Sequence, residues 1–176
     1  MSSDAADIRS AVRLQSVTDL AAPAVPLAQA TERVAAELAG IERLGVAFSG
    51  GVDSSVLLAL AARVLGADRV VALLGVSPSL AAAERRGAHS VADQLGVGVV
   101  EVQTKEGDRA AYRANGPDRC YHCKDELFTT IDVGLAPSLG LDAIAYGENA
   151  DDVLLPDRPG ARAATEHGVL RPLAAA

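Results

Sequence analysis

The sequence predicts an α/β fold: a Rossmann-like parallel sheet of about five strands with helices on both faces. Three observations carry this. Short Val/Leu/Ala runs alternate with helical patterns from Gly45 onward; those runs lack the polar alternation of a half-wetted sheet, as strands covered on both faces do; and the first run passes through a glycine-rich turn straight into a helix. The chain of 176 residues is 49% hydrophobic and 22% charged, enough apolar material for one core-forming domain.

Taken in order, residues 1–26 are rich in Ala, Ser and Asp and carry Pro23 and Pro26, and read as a flexible N-terminal extension. A single folded domain is expected over 27–160. It opens with "LAQATERVAAELAGIERLG", where Leu27, Val34, Leu38 and Ile41 recur at near-helical spacing and Gly45 reads as the stop. Strand 45–48, helix 53–65, strand 69–75, helix 80–95 and strand 97–102 follow. Residues 103–117 form a polar loop, a helical pattern then runs to about Leu139, and "LDAIAYG" at 141–147 is a further strand. Residues 161–176 begin a helix that stops soon after Pro172, as though a C-terminal region were cut short.

The formal charge of −7 argues against a general nucleic-acid surface, since neutralising phosphates needs clustered Lys and Arg. Binding of tRNA is therefore not expected, and any phosphate must be held locally. No apolar run approaches the roughly 18 residues that span a bilayer, and "MSSDAADIRS" carries acids where a leader carries bases. No membrane partner and a cytoplasmic location are the resulting expectations, with an assembly of identical copies.

The local phosphate site is "SGGVDS", residues 49–54, between a strand ending near Ala47 and the helix "DSSVLLALAARVL". Gly50 and Gly51 let the backbone turn sharply and approach a ligand, and the first amides of a helix point outward without acceptors. The helix dipole and the hydroxyls of Ser49, Ser54 and Ser55 add further attraction for an anion. Asp53 is the unusual member. It is read both as a helix cap and as a ligand to a magnesium ion that accompanies the phosphates. Neither G-x-x-x-x-G-K-[ST] nor G-x-G-x-x-G is present.

In "GPDRCYHCKDELFTTI", Pro117 and Asp118 read as a helix start with Cys120 and Cys123 in its first turn. Leu127, Phe128 and Ile131 continue the same spacing, so the thiols are readable as core packing. A zinc site lacks its third and fourth ligands at suitable spacing. A redox pair would draw on the helix N-terminus. Sulfur or iron–sulfur chemistry is the remaining reading, with the thiolates beside the cations Arg119 and Lys124, near an activated substrate.

The string S-G-G-V-D-S in its strand–loop–helix setting resembles the loop of the PP-loop ATP pyrophosphatase superfamily. Together with "NGPDRCYHCKDELF", the "SPSL" after the second strand and "GENADDVLLPDRPGARAATEHGVLRPL", the chain from about Leu27 to Leu173 resembles the LarE family of ATP-dependent sacrificial sulfur transferases. The resemblance implies a HUP-type sheet and an enzyme that adenylates a carboxylate of a pyridinium mononucleotide, releases pyrophosphate, and replaces AMP with sulfur on the route to a nickel-pincer cofactor. A tRNA thiolase and a truncated, non-catalytic nucleotide-binding module are the alternatives. The resemblance implies adenine read at Leu74, Gly75 and Val76, with magnesium or substrate contacts at Glu148 and Asp152. Arg119, Lys124 and Arg158 are the cations expected to meet the substrate, and Cys120 and Cys123 match two of three cysteines that hold a [4Fe-4S] cluster in some members. In those members the third cysteine belongs to a C-terminal region without a match in these 176 residues.

Overall fold

The computed structural model describes residues 26–154 and 158–176. Apart from Pro26, the expected extension 1–26 lies outside the described residues. The elements are α1 (Leu27–Glu37), β1 (Leu44–Phe48), α2 (Val52–Leu65), β2 (Val70–Val76), α3 (Ala82–Gln94), β3 (Gly98–Gln103), α4 (Ala110–Arg113), α5 (Arg119–Thr130), α6 (Ala136–Leu139), β4 (Ala143–Tyr146), α7 (Ala150–Val153) and α8 (Pro159–Glu166). Gly45 is inside β1 and does not stop α1, which ends at Glu37 and is followed by a turn in which Gly40 takes a φ of 81°.

All strands are parallel, in the order β3-β2-β1-β4, with Leu44 facing Val70 on one side and Ala143 on the other. The described sheet has four strands rather than about five. The place of a fifth is taken by a single parallel bridge between Leu170 and Ala145. Leu170 N–H donates to the Ile144 carbonyl at 2.8 Å, and Tyr146 N–H donates to Leu170 at 3.0 Å. The ladder ends there because Pro172 has no amide to donate and begins a 3₁₀ turn, Pro172–Ala174.

Each face of the sheet supports its own core. Val46, Phe48, Ala72, Leu74 and Ala145 point toward α1, α2 and α3, where they meet Val34, Leu57, Leu58, Ala88 and Ala92. Their neighbours along the strands, Val71, Leu73, Ile144 and Tyr146, pack with Val102, Phe128, Ile131 and Ala164 on the opposite side. Two buried faces explain why the strand runs are apolar at consecutive positions. Fully burying one such Leu or Phe side chain contributes about 1.5–3 kcal/mol.

The 103–117 segment is more ordered than its polarity suggests. It holds a 3₁₀ turn, Glu106–Asp108, and the short α4, pinned by Arg113 Nη1, which donates to the carbonyls of Gly107 at 3.2 Å and Asp108 at 3.1 Å. From Arg119 the helical path does reach Leu139, but with a wider π-type turn at Ile131–Leu135 between α5 and α6. Among the described residues no helix is long and apolar enough to cross a membrane.

Candidate functional site

A cavity of about 350 Å³ opens beyond the C-terminal ends of β1, β2 and β4, the edge at which parallel sheets bind ligands. Ser49, Gly51, Asp53 and Ser54 form one end of it, Ala47 its floor, and Cys123 and Lys124 of α5 its roof. Gly75 lines the β2 side. The phosphate loop and the cysteine-bearing helix, 70 residues apart in sequence, thus face one space.

The loop is braced by its own serines. Ser54 Oγ donates to the Gly51 carbonyl at 3.0 Å, accepts from Ser49 N–H at 3.3 Å and lies 3.2 Å from Ser49 Oγ. Gly51, not Asp53, is the N-cap of α2, and it makes no side-chain cap bond. Asp53 fails as the cap because it sits one residue inside the helix, where it complements the dipole instead. The first amides of α2 have no acceptor a turn behind them and are left for a ligand. Gly50 lies behind the loop with a φ of 77°, and a side chain there would meet the Ala88 backbone at 2.9 Å. Ser55 Oγ is buried without a partner.

Asp53 is exposed and accepts from Asn149 Nδ2 at 3.3 Å. Asn149 caps α7 and forms a reciprocal capping box with Asp152. This tethers "GENADD" to the phosphate loop. Glu148, 2% exposed, lies between Arg158 at 3.7 Å and Arg171 at 3.3 Å, and Asp152 pairs with Arg158 at 2.7 Å. Both carboxylates expected to meet magnesium are thus engaged by arginines, and among the described residues no three His, Cys, Asp or Glu side chains converge as a metal cluster. Asp53, with no cation in ion-pair contact among the described residues, fits a magnesium ion brought by phosphates. The chain's two cysteines do not by themselves fit an iron–sulfur cluster.

The remaining expected residues divide. Cys120 is exposed and is not among the residues lining the cavity. Arg119 turns toward Tyr112, stacking on its ring at 4.3 Å and donating to its hydroxyl at 2.5 Å. Val76, past the cavity, lines a neighbouring groove with Arg85 and His89. Lys124 Nζ lies 3.9 Å from the centroid of the Tyr146 ring. Burial pushes its ammonium down, with Glu148 acting in the opposite direction. Cys123 keeps solvent access at the rim, yet the protein packed around it, and then the charge of Glu106, push its thiol up. This is the reverse of the activated thiolate that a helix start beside two cations suggests.

Three further residues escape sequence reasoning. Gly147 closes β4 against the loop: a Cβ there would stand 2.7 Å from Asp53 C and Ser54 N. The glycine directly after the last strand was its one visible signal. Tyr146 is 6% exposed and its hydroxyl has no partner of hydrogen-bond geometry. Burial, and then the adjacent Glu148 carboxylate, hold its phenol far above the usual range. Glu106 enters the same cavity from beyond β3 and left no signal in a run of ordinary polar residues.

Comparison with known proteins bears on the family and the fold. The family described as asparagine synthase matches residues 28–136. An uncharacterized protein of Synechocystis sp. is 42% identical over 76% of this chain and 49% of its own. The pyridinium-3,5-bisthiocarboxylic acid mononucleotide synthase of Lactiplantibacillus plantarum is 32% identical over 81% of this chain and 51% of its own. A tRNA-specific 2-thiouridylase of Rhizorhabdus wittichii is 35% identical over 73% of this chain and 38% of its own. The chain therefore spans about half the length, or less, of the curated relatives it matches. Among solved structures, the NH3-dependent NAD synthetase of Campylobacter jejuni superposes with a TM-score of 0.55 at 15% identity, over 73% of this chain and 57% of that one. The glutamine-dependent NAD+ synthetase of Acinetobacter baumannii, solved with ADP, gives 0.56 at 22%, over 76% and 28%. These two likenesses establish the fold, a Rossmann-like α/β sheet.

Proposed function

Because the chain belongs to the PP-loop ATP pyrophosphatases, in the family described as asparagine synthase, we propose that it adenylates a carboxylate of a pyridinium mononucleotide for sulfur transfer. The observation that carries the reading is that the phosphate loop and the α5 segment bearing Cys123 and Lys124 face one cavity. The relative that makes a pyridinium bisthiocarboxylate supports it.

In this reading the β- and γ-phosphates rest on Ser49–Ser54, held by the loop amides, the α2 dipole and the serine hydroxyls. A magnesium ion held by Asp53 would neutralise phosphate charge there. A substrate carboxylate oxygen attacks the α-phosphorus, the bond from that phosphorus to the β-bridging oxygen breaks, and pyrophosphate leaves. Lys124, above Tyr146, is placed to hold the substrate's negative charge, which would restore the ammonium that burial disfavours. A hydrosulfide-level sulfur nucleophile then attacks the acyl carbon, the bond from that carbon to the phosphate oxygen breaks, and AMP leaves with the electron pair. Of the two cysteines, Cys123 is the one at the reacting space.

The test is pyrophosphate release with ATP, magnesium and a carboxylated pyridinium mononucleotide. Release that requires the carboxylate and is lost in Ser54→Ala is expected; ATP binding with no release sinks the adenylation reading. The similarity to a tRNA 2-thiouridylase supports a second reading, in which the same loop activates a tRNA base. Release driven by tRNA and not by the pyridinium compound would select it.

A further inference from the structure

One carboxylate at the cavity has no part in this chemistry. Glu106 is 4% exposed, lines the cavity wall, and its Oε2 has no hydrogen-bond partner. The Ser79 hydroxyl reaches only Oε1, at 3.5 Å. Burial acts to raise its pKa, but the hydroxyls of Ser77 and Thr104, its own amide and Ser79 together hold it below the usual value. It is therefore a charged, acceptor-only group. At the cavity wall this carboxylate is an acceptor for a ligand's donor.

We propose that Glu106 accepts a hydrogen bond from the 6-amino group of ATP and so selects adenine among the nucleobases. The inference rests on reading the cavity as a nucleotide site. Charge fixes which end of the nucleotide Glu106 meets, because a buried carboxylate repels phosphates, and those are drawn to the loop at β1. Glu106 follows β3, two places along the sheet from β1. At roughly 4.8 Å per strand that separates the two by about 10 Å, the reach of a nucleoside. Between them the wall is apolar, with Leu74, Leu80 and Leu127, and suits a flat base. A 6-oxo base would set an acceptor against the carboxylate, whereas a 6-amino base donates to it.

Calorimetric titration of the full chain with three nucleotides tests this: ATP, purine riboside 5′-triphosphate, which lacks only the 6-amino group, and 2′-deoxy-ATP. ATP is expected to bind at least about tenfold more tightly than purine riboside triphosphate, and 2′-deoxy-ATP about as tightly as ATP. In Glu106→Met the preference for the amino group is expected to shrink to about twofold, and Glu106→Gln, which keeps a neutral acceptor, to retain part of it. Equal wild-type affinity for ATP and purine riboside triphosphate overturns the proposal without any variant. So does an amino-group preference that survives in a folded Glu106→Met, or a loss confined to discrimination against 2′-deoxy-ATP, which would put Glu106 on the ribose. ATP bound with the expected preference but without pyrophosphate release overturns the adenylation reading alone.

Discussion

Gly147 shows how much a single residue contributes to the site. Its Cα hydrogen faces the turn into α2, and a methyl group there would need 2.7 Å contacts with the backbone of Asp53 and Ser54. Backbone cannot rotate aside as a side chain can, so Gly147→Ala is expected to displace the phosphate loop, lowering stability by about 1–3 kcal/mol. ATP affinity should fall further than the thermal midpoint accounts for; an unchanged affinity would show that the contact is absorbed elsewhere. Glu106 acts through charge. Burial is the first cause of the raised Cys123 thiol and Glu106 the second, so Glu106→Gln should lower that thiol's pKa without bringing it to an exposed value. The pH dependence of Cys123 alkylation, measured in Cys120→Ser to isolate one thiol, reads this out, and a midpoint that does not move downward refutes it. "SGGVDS" was legible because anion binding at a strand–loop–helix junction is encoded within six consecutive residues. Glu106 and Gly147 were not, because each matters only through what the sheet brings opposite it.

At the level of elements, α5 and α8 are joined by a charged staple. His167, which follows α8, contacts Asp132 of the π-type turn through Nδ1 at 2.9 Å and Asp125 of α5 through Nε2 at 3.0 Å. Arg109 completes the group through Asp125 at 2.5 Å and Glu126 at 2.7 Å. Burial acts to lower the His167 pKa, but the hydrogen bonds that its ring donates to Asp125 and Asp132 outweigh it and raise it; Asp125 is lowered, chiefly by His167 and then Arg109. Because the folded chain holds the imidazolium proton more tightly, the histidine's contribution is complete below its unfolded value near 6.5 and fades as pH rises through the higher folded value. Asp125 contributes above its unfolded value near 3.9 and loses its effect as pH falls through its lower folded value. His167→Ala should cost about 1–2 kcal/mol at pH 6 and less above the folded value. Denaturant titrations of both proteins across pH 5–9 check this, and a pH-independent difference would reduce His167 to simple packing against Phe128, whose ring lies 5.8 Å away. The strands and large helices were readable from periodicity, but this staple was not. Its members span 109–167 in sequence, and single polar residues on separate helices carry no pattern until the helices pack.

For the whole molecule, charge bears directly on the choice between a small substrate and tRNA. The chain carries 16 Lys and Arg against 23 Asp and Glu, and several of the arginines outside the cavity are already paired with carboxylates. Arg158 and Arg171 face Glu148, Arg109 holds Asp125 and Glu126, and Arg85 holds Glu101. Lys124 is the cavity cation without an ion-pair partner among the described residues, and one half-buried ammonium suits a single anionic group better than a polyphosphate backbone. Binding tRNA through many phosphates would release counterions and make affinity fall steeply with salt, whereas a nucleotide held by loop amides and one lysine loses little. The expected outcome of a titration from 50 to 200 mM salt is thus ATP affinity changing by less than about threefold, with tRNA binding no tighter than the roughly 10⁻⁴–10⁻⁶ M of non-specific association. Tight tRNA binding with a steep salt slope would favour the tRNA reading, because only contacts to many phosphates produce that slope.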